Sequence, residues 1–505
     1  MNTILGELGK SPKFCEYIKN IENKKSPIVI SGLTDVGMAQ MISATKEFVK
    51  RPICVITYNE IQARKIVDDL SYFTDKVIYL PKKEIVTYDY VAESKDLPYQ
   101  RIEALNKIQE MKTGIVVTTA EAAIQKMISP KALYKNTLKF KIGDEYKLED
   151  VKQKLIDLGY VRYDLIDGRG QFSVRGGIVD ISVTEKTGIR IEFWGDEVDS
   201  IRYFNIISQR STENIEKATI YPAHEYLLEK NVEEIVEKIK ETIYPEELQE
   251  QINQDIETIK NENYISKIDR YLNSFYEKQS TILDYLSEKY IIVLDEIAKI
   301  THRIENVNKD SQNVIQLLME KEKMVPEALK NIENNAQFEE NLENRQNIYI
   351  NKFDDEVKIE AEKYNWVYKE KNFYKSEIEI LIKELLKAQE ARKRMYILAE
   401  NKEKAKKICS LLDENEIINK YEEKLDKTII VKNNESLVTV SIGKLSAGYE
   451  CYDINQLVIT SQELIEGEKK KSYKSSAFKE GEKVVFADLK VGDYVVHKNY
   501  GIGIF

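Results

Sequence analysis

Short apolar segments that alternate with helical patterns fill the first part of the chain and constrain its fold more than any other feature. Residues 27–31 (PIVIS) are almost wholly apolar, which is typical of a buried parallel strand, and residues 52–57 (PICVIT) and 114–119 (GIVVTT) are predicted to be further strands. Strands that alternate with helices build parallel sheets. The sequence therefore predicts a doubly wound parallel sheet, and a chain of 505 residues is long enough for several domains.

The first strand leads into a glycine frame with the spacing of a phosphate-binding loop. Gly32 and Gly37 fit the pattern GxxxxGK[ST], but Met38 and Ala39 stand where the lysine and the hydroxyl residue would be. That lysine reaches the nucleotide phosphates, and the hydroxyl holds Mg²⁺. We therefore predict a degenerate, inactive nucleotide loop that only turns the strand into the following helix.

Composition excludes several classes of function. The net charge is −10, so counterion release from DNA gives the whole chain no gain and autonomous DNA binding is disfavoured. No run approaches the roughly 20 apolar residues of a membrane span, so we expect a cytoplasmic protein without a membrane partner. The cysteines lack the spacing of metal ligands, which predicts reduced, buried thiols and no metal or cofactor site. These cysteines are Cys15, Cys54, Cys409 and Cys451.

A β-rich stretch at residues 158–210 interrupts the alternation of strands and helices. Its alternating segments and its glycine turns at Gly176, Gly177 and Gly195 predict a small antiparallel sheet. Arginine and aromatic side chains are common anchors of protein interfaces. The arginines could equally pair with acids of the same module, which leaves both interpretations open. Those acids are Asp164, Asp180, Glu192, Asp196 and Glu197.

The second half of the chain returns to α/β patterns. Residues 290–296 (YIIVLDE) predict a buried strand, and its final pair, Asp295 and Glu296, is either a relic of a magnesium site or a helix cap. Long charged helices are predicted to follow as far as Lys387, and a small α/β unit from about Arg392. The aromatic side chains expected to pack these helices onto the sheet are Trp366, Tyr368, Phe373 and Tyr374.

Together these motifs resemble the N-terminal, UvrB-homologous part of the bacterial transcription-repair coupling factors (Mfd). The resemblance is strongest at residues 81–120, 158–211 and 489–505. UvrB itself keeps a working phosphate loop and inserts a long aromatic hairpin after its YDYY segment. Here the loop lacks its lysine, and Tyr88-Asp89-Tyr90 lies too close to Arg101 for such a hairpin. Both departures favour the coupling-factor family over UvrB.

The resemblance implies which residues bind partners. In the family the β-rich module binds UvrA, and the matching positions are Arg162, Phe172 and Arg175, with Arg202 as a further interface position. Ser173 replaces one arginine of the UvrB motif, which weakens that analogy. The C-terminal motif LxxGDYVVHxxxGIG resembles the start of the RNA-polymerase-interaction domain shared with CarD-type regulators. Its motif residues include Gly492, Asp493, Tyr494, His497 and Gly501.

The resulting prediction is an α/β multidomain chain with a degenerate P-loop NTPase-like sheet, interrupted by an inserted domain. The expected divisions are 1–131 and 213–388 for the two halves of the sheet domain, 132–212 for the insert, 389–466 for a small α/β domain, 467–485 for a linker and 486–505 for a truncated CarD-like start. The chain should recruit UvrA without hydrolysing ATP. The resemblance places ATP, Mg²⁺ and DNA binding in motor domains beyond this fragment. The alternatives are a UvrB-like ATP-dependent repair subunit and an autoinhibitory structural module.

Overall fold

The computed structural model describes residues 2–83, 96–223, 225, 231–241, 246–262, 271–276, 279–320, 331–352, 360–371, 378–425, 437–461, 494–497 and 501–504. The predicted segment Tyr88-Asp89-Tyr90, the side chains Phe373 and Tyr374, and the linker 467–485 lie outside these residues.

The N-terminal part alternates helices with short buried strands. Several of its helices begin at residues whose side chains accept a backbone N–H; Thr34, for example, accepts one from Gly37. The elements are α1 (Thr3–Leu8), α2 (Pro12–Glu22), β1 (Ile28–Ser31), α3 (Asp35–Val49), β2 (Ile53–Thr57), α4 (Glu60–Phe73), β3 (Val77–Leu80), α5 (Asp96–Glu110), β4 (Ile115–Thr119), α6 (Ala120–Ala123) and α7 (Pro130–Lys135).

The middle of the chain is rich in β-structure and contains one helix of moderate length. Its elements are β5 (Leu138–Lys141), α8 (Leu148–Asp157), β6 (Val161–Arg162), β7 (Gln171–Arg175), β8 (Ile178–Ser182), β9 (Thr187–Trp194), β10 (Glu197–Asn205), β11 (Ser211–Ile215) and β12 (Lys217–Ile220).

Helices and the remaining strands of the first sheet follow. They are α9 (Val232–Glu241), α10 (Gln249–Glu262), α11 (Leu272–Phe275), α12 (Ile282–Tyr285), β13 (Ile291–Asp295), α13 (Ile297–Glu320), α14 (Asn335–Glu343), β14 (Gln346–Asn351) and β15 (Glu362–Asn365).

The C-terminal part contains a second α/β unit and a separate hairpin. Its elements are β16 (Tyr368–Lys371), α15 (Ile378–Glu390), β17 (Arg394–Ala399), α16 (Lys402–Glu414), β18 (Asn419–Glu422), β19 (Val438–Ile442), β20 (Gly448–Cys451), β21 (Gln456–Thr460), β22 (Tyr494–His497) and β23 (Gly501–Ile504).

The largest sheet is wholly parallel, as the sequence predicts. Its strand order is β15-β1-β14-β13-β2-β4-β3. Strands β14 and β15 lie in a region where the sequence analysis expects helices. The sequence of β14, QNIYIN, contains polar residues at three of its six positions, and β15, EKYN, is a largely polar strand at the edge of the sheet. Hydrophobic periodicity therefore does not reveal them.

The β-rich module is an insertion in this sheet domain. The chain enters it through β5 and leaves through β12, and these two strands pair antiparallel, with Leu138 opposite Ile220. Between them, six strands form a sheet in the order β11-β10-β9-β8-β7-β6. Neighbouring strands are antiparallel except β6 and β7. The paired entry and exit place the insert at residues 138–220, slightly later than the expected 132–212.

The small C-terminal unit begins earlier than residue 389. Its sheet has the order β16-β20-β21-β17-β19-β18, and so takes β16 as an edge strand. One face of this sheet packs on the N-terminal helices through Tyr396, Tyr449 and Val458. The other face is covered by α15 and α16, with Leu385 and Ile408 in the core between them.

Candidate protein-binding site

The turn between β1 and α3 is packed against the protein's own backbone. Gly32 has φ +78°, and a Cβ atom placed on it would lie 1.9 Å from the carbonyl oxygen of Trp366. The N–H of Trp366 donates to the carbonyl of Ser31 (2.9 Å), and that of Tyr368 to the carbonyl of Gly32 (3.2 Å). A Cβ on Gly37 would meet the Tyr368 ring at 2.6 Å. Both glycines therefore permit close packing within the chain.

The helix after this turn has almost no free surface. Met38 and Ala39 are buried, as are the other residues from Val36 to Lys46. Gln40 donates to Oε1 of Gln456 (2.8 Å) and accepts from the Tyr368 hydroxyl (3.0 Å), which joins α3 to the small C-terminal unit. The helix thus serves as a packing element between two domains. Trp366 is buried beside this turn instead of packing long helices onto the sheet.

Acidic side chains line the same edge of the parallel sheet. Asp35 pairs with Lys65 (2.7 Å) and Lys352 (3.7 Å). Partial burial would raise the pKa of Asp35, but the hydrogen bond and charge of Lys65 and the charge of Lys352 lower it overall. The start of α3 is therefore held by ion pairs within the chain.

Asp295 and Glu296, at the end of β13, have partners within the protein. Asp295 accepts a hydrogen bond from the Thr57 hydroxyl (2.7 Å), and burial raises its pKa to about 6. Glu296 accepts from the N–H of Lys352 (2.7 Å) and pairs with Lys299 (3.2 Å). The described residues contain no cluster of ligands that could hold a metal ion.

The thiols are all free, as expected. Cys54 and Cys451 are buried, and burial raises the pKa of Cys54 to about 12 and that of Cys451 to about 11. Cys15 is exposed, contrary to the expectation of burial, because it lies on the outer side of α2.

The inserted sheet has one apolar face and one polar face. Phe172, Val179, Ile189 and Ile201 point to the apolar side and form a core together with α8. Phe172 is completely buried, so it can influence a partner only through the position of its strand. Phe172 lies on the apolar side, as the alternation along this strand predicts. Ser173, on the opposite side, is also buried, and its hydroxyl has no hydrogen-bond partner among the described residues.

An ionic network occupies the polar face. Asp180 is fully buried and accepts hydrogen bonds from Arg175 (2.8 Å) and from two nitrogens of Arg190 (2.7 and 2.8 Å). The guanidinium of Arg190 also lies 4.7 Å from the centre of the Phe204 ring. Arg190 is not among the residues that the sequence motifs indicate. A signal was nevertheless present, since Asp180 of β8 and Arg190 of β9 each stand between two apolar residues.

Arg202 also has an acid of its own module as partner. It pairs with Glu192, which accepts a hydrogen bond from Ser200 (2.9 Å). The interpretation in which the arginines pair within the module is therefore correct for Arg175 and Arg202. Arg175 nevertheless keeps 49% of its side-chain surface exposed.

Arg162 differs from the other two arginines. It lies on β6, the last strand of the sheet, is exposed, and has no ion-pair partner within the described ranges. Large apolar side chains surround it on the same short segment: Val161, Tyr163 and Leu165 are 56%, 48% and 50% exposed. We call these four residues the β6 edge surface. An unpaired guanidinium among exposed apolar groups has the composition of a protein-binding hot spot.

The C-terminal motif is only partly described. Tyr494 to His497 and Gly501 to Ile504 form an antiparallel hairpin, with His497 opposite Gly501. Gly492 and Asp493 lie outside the described residues. Within the part of the chain that the structure describes, no helix is long and apolar enough to cross a membrane.

The fold and the surface define a multidomain α/β protein with a parallel sheet and an inserted β-rich domain. Residues 138–226 match the family described as the UvrB interaction domain. Over its whole length the chain is similar to the transcription-repair-coupling factors of Bacillus subtilis (strain 168), with 28% identity over 528 residues, and of Staphylococcus aureus (strain MRSA252), with 28% identity over 531 residues.

These alignments cover 100% and 99% of this chain but 44% of each relative, so the chain spans less than half the length of the relatives it matches. The resemblance stated from the sequence motifs is therefore confirmed. The matched family model begins at residue 138, where β5 begins, and ends at residue 226, shortly after β12.

Proposed function

We propose that this chain acts in transcription-coupled DNA repair by binding UvrA, the damage-recognition protein, through its inserted domain. The observation that carries the proposal is the β6 edge surface. Arg162 is free to meet a carboxylate of a partner, and the apolar side chains beside it would be desolvated on binding. The similarity to transcription-repair-coupling factors supports this role.

The region of the parallel sheet serves as a scaffold and does not hydrolyse ATP. The turn at Gly32 is a degenerate nucleotide loop, because Met38 and Ala39 are buried and Trp366 packs directly on the turn. ATP, Mg²⁺ and DNA belong to motor domains of longer relatives. RNA polymerase is a second partner, contacted through a CarD-like domain that would include the hairpin of β22 and β23.

Titration of the purified chain with purified UvrA tests the proposal. We expect saturable binding with one UvrA subunit per chain and no ATP turnover by the chain alone. ATP turnover in the absence of UvrA would instead support a UvrB-like enzyme. Absence of binding to UvrA would contradict the proposed function.

A further inference from the structure

A cleft in the small C-terminal unit is lined by four lysines but only two glutamates, so its lining has a net positive charge. It lies between α15 and the edge of the sheet formed by β16, β20 and β21, and has a volume of about 400 Å³. The charged side chains that line it are Lys371, Lys383, Lys387, Lys393, Glu384 and Glu450. The cleft is outside residues 138–226, so it is separate from the inserted domain.

The floor of the cleft is an internally balanced ionic cluster. Glu450 is buried and accepts from Lys371 (2.8 Å) and from Lys393, and Lys371 also pairs with Glu384. Burial would raise the pKa of Glu450, but the two lysines lower it overall. Two lysines and two glutamates therefore compensate each other at the floor.

The mouth of the cleft has no such compensation. Lys383 and Lys387 lie one turn apart on α15, are exposed, and form no ion pair among the described residues. Side chains four residues apart on a helix point in the same direction. The two other described acids of α15, Glu379 and Glu390, do not line the cleft. Two positive charges are thus directed at the opening.

The walls of the cleft add apolar surface to this charge. Ile380 and Tyr452 both line it and are each 49% exposed. A free phosphate would leave this apolar surface unused. Duplex DNA is disfavoured as well, since the whole chain has a net charge of −10. The chemistry that fits both the cationic mouth and the apolar walls is a carboxylate-bearing segment that also carries aliphatic or aromatic side chains.

We propose that this cleft binds an acidic peptide segment of a partner protein, with carboxylates at Lys383 and Lys387 and apolar side chains against Ile380 and Tyr452. The small α/β unit thereby gains a role as a second docking site. Its recognition is electrostatic, so binding weakens as salt rises.

Fluorescence anisotropy with a labelled peptide of alternating glutamate and leucine tests the proposal on the full chain. The double variant Lys383→Glu/Lys387→Glu should lose about tenfold in affinity, which corresponds to about 1.4 kcal/mol. Both side chains are exposed, so the variant should keep its melting temperature. The matched control, Lys406→Glu/Lys407→Glu on exposed positions of α16, makes the same charge change and should alter affinity less than about twofold.

Three results would overturn the proposal. Absence of peptide binding to the unaltered chain is one, and equal loss in both double variants is another, because binding would then follow net charge alone. The third is stronger competition by inorganic phosphate or by a DNA duplex than by the unlabelled peptide, which would assign the cleft to a different ligand.

Discussion

The carbonyl oxygen of Trp366 lies 1.9 Å from the point that a Cβ atom on Gly32 would occupy. Glycine at position 32 therefore has a structural reason unrelated to phosphates, because the backbone after β15 crosses directly over it. A left-handed φ of +78° at Gly32 adds a second requirement for glycine. Through this contact, the turn between β1 and α3 packs against the segment that leads from β15 into the small C-terminal unit.

Gly32→Ala should destabilise the protein by about 3 kcal/mol, since it combines left-handed backbone strain with overlap against backbone atoms that cannot move freely. Chemical denaturation measures the change. Gly143→Ala is a suitable control, because Gly143 also has a positive φ (+87°) but no atom lies within 4 Å of its added Cβ. The control should cost only about 1 kcal/mol. Equal losses would show that the contact with Trp366 contributes nothing.

Restoring the missing loop residues should not restore nucleotide chemistry. In Met38→Lys/Ala39→Thr, the new ammonium and hydroxyl would enter buried positions on α3, with Asp35 and the packed Trp366 still in place. We expect lower stability and no ATP hydrolysis in a coupled phosphate-release assay. Met38→Leu keeps the volume and polarity and should behave like the unaltered chain. ATP turnover by the double variant would mean that the space above the loop is accessible.

Asp295 should make stability depend on pH. Burial raises its pKa from 3.8 to about 6, so the folded state holds this proton more tightly than the unfolded state. The stabilisation is complete below about pH 4 and is lost as the pH rises through about 6. Asp295→Asn should remove this dependence and raise stability above pH 6 by about 1–3 kcal/mol.

Denaturation curves for Asp295→Asn and the unaltered chain between pH 4 and pH 8 measure this difference. The variant can still accept the Thr57 hydrogen bond through its amide oxygen, which makes the lost charge the principal change. Parallel stability profiles for the two proteins would show that the Asp295 carboxyl does not titrate as described.

The sequence predicts strands of the parallel sheet well where short apolar runs are bounded by turns or helices. Apolar residues dominate four such strands, and all four are fully buried in the parallel sheet: β1, β2, β4 and β13. The prediction from sequence failed for β14, β15 and β16, whose residues are largely polar. Their position is decided by long-range pairing, for example of Ile28 with Ile348 on one side and Glu362 on the other. Local pattern carries little information about such contacts.

The candidate site was predictable only in part, again because long-range strand pairing decides which side chains meet. Sequence motifs indicated Arg162, Arg175 and Arg202, but could not tell which one lacks an internal partner. That distinction depends on strand register, which places Asp180 opposite Arg190 and Arg202 opposite Arg190 across neighbouring strands. The exposed Tyr163 and Leu165 were also missed, because their exposure follows from the position of β6 at the end of the sheet.

Asp180 should be the main stabilising charge of the inserted domain. Asp180→Asn leaves Arg175 and Arg190 without their buried carboxylate and should cost about 2 kcal/mol, less than a fully buried pair because Arg175 is half exposed. Thermal unfolding of the full chain measures this loss. Asp196→Asn, in the exposed hairpin turn between β9 and β10, is the control and should be neutral. No effect at Asp180 would show that the network does not stabilise the sheet.

The affinity of UvrA for Arg162→Glu, compared with the unaltered chain and with Lys217→Glu, tests the account most directly. Lys217 is exposed on β12, at the base of the insert, and its variant makes the same charge change away from the β6 edge surface. We predict that Arg162→Glu weakens binding by about tenfold or more, whereas Lys217→Glu changes it by less than about twofold. Unchanged affinity in Arg162→Glu, measured by isothermal titration on a folded protein, would contradict the assignment of this surface as the binding site.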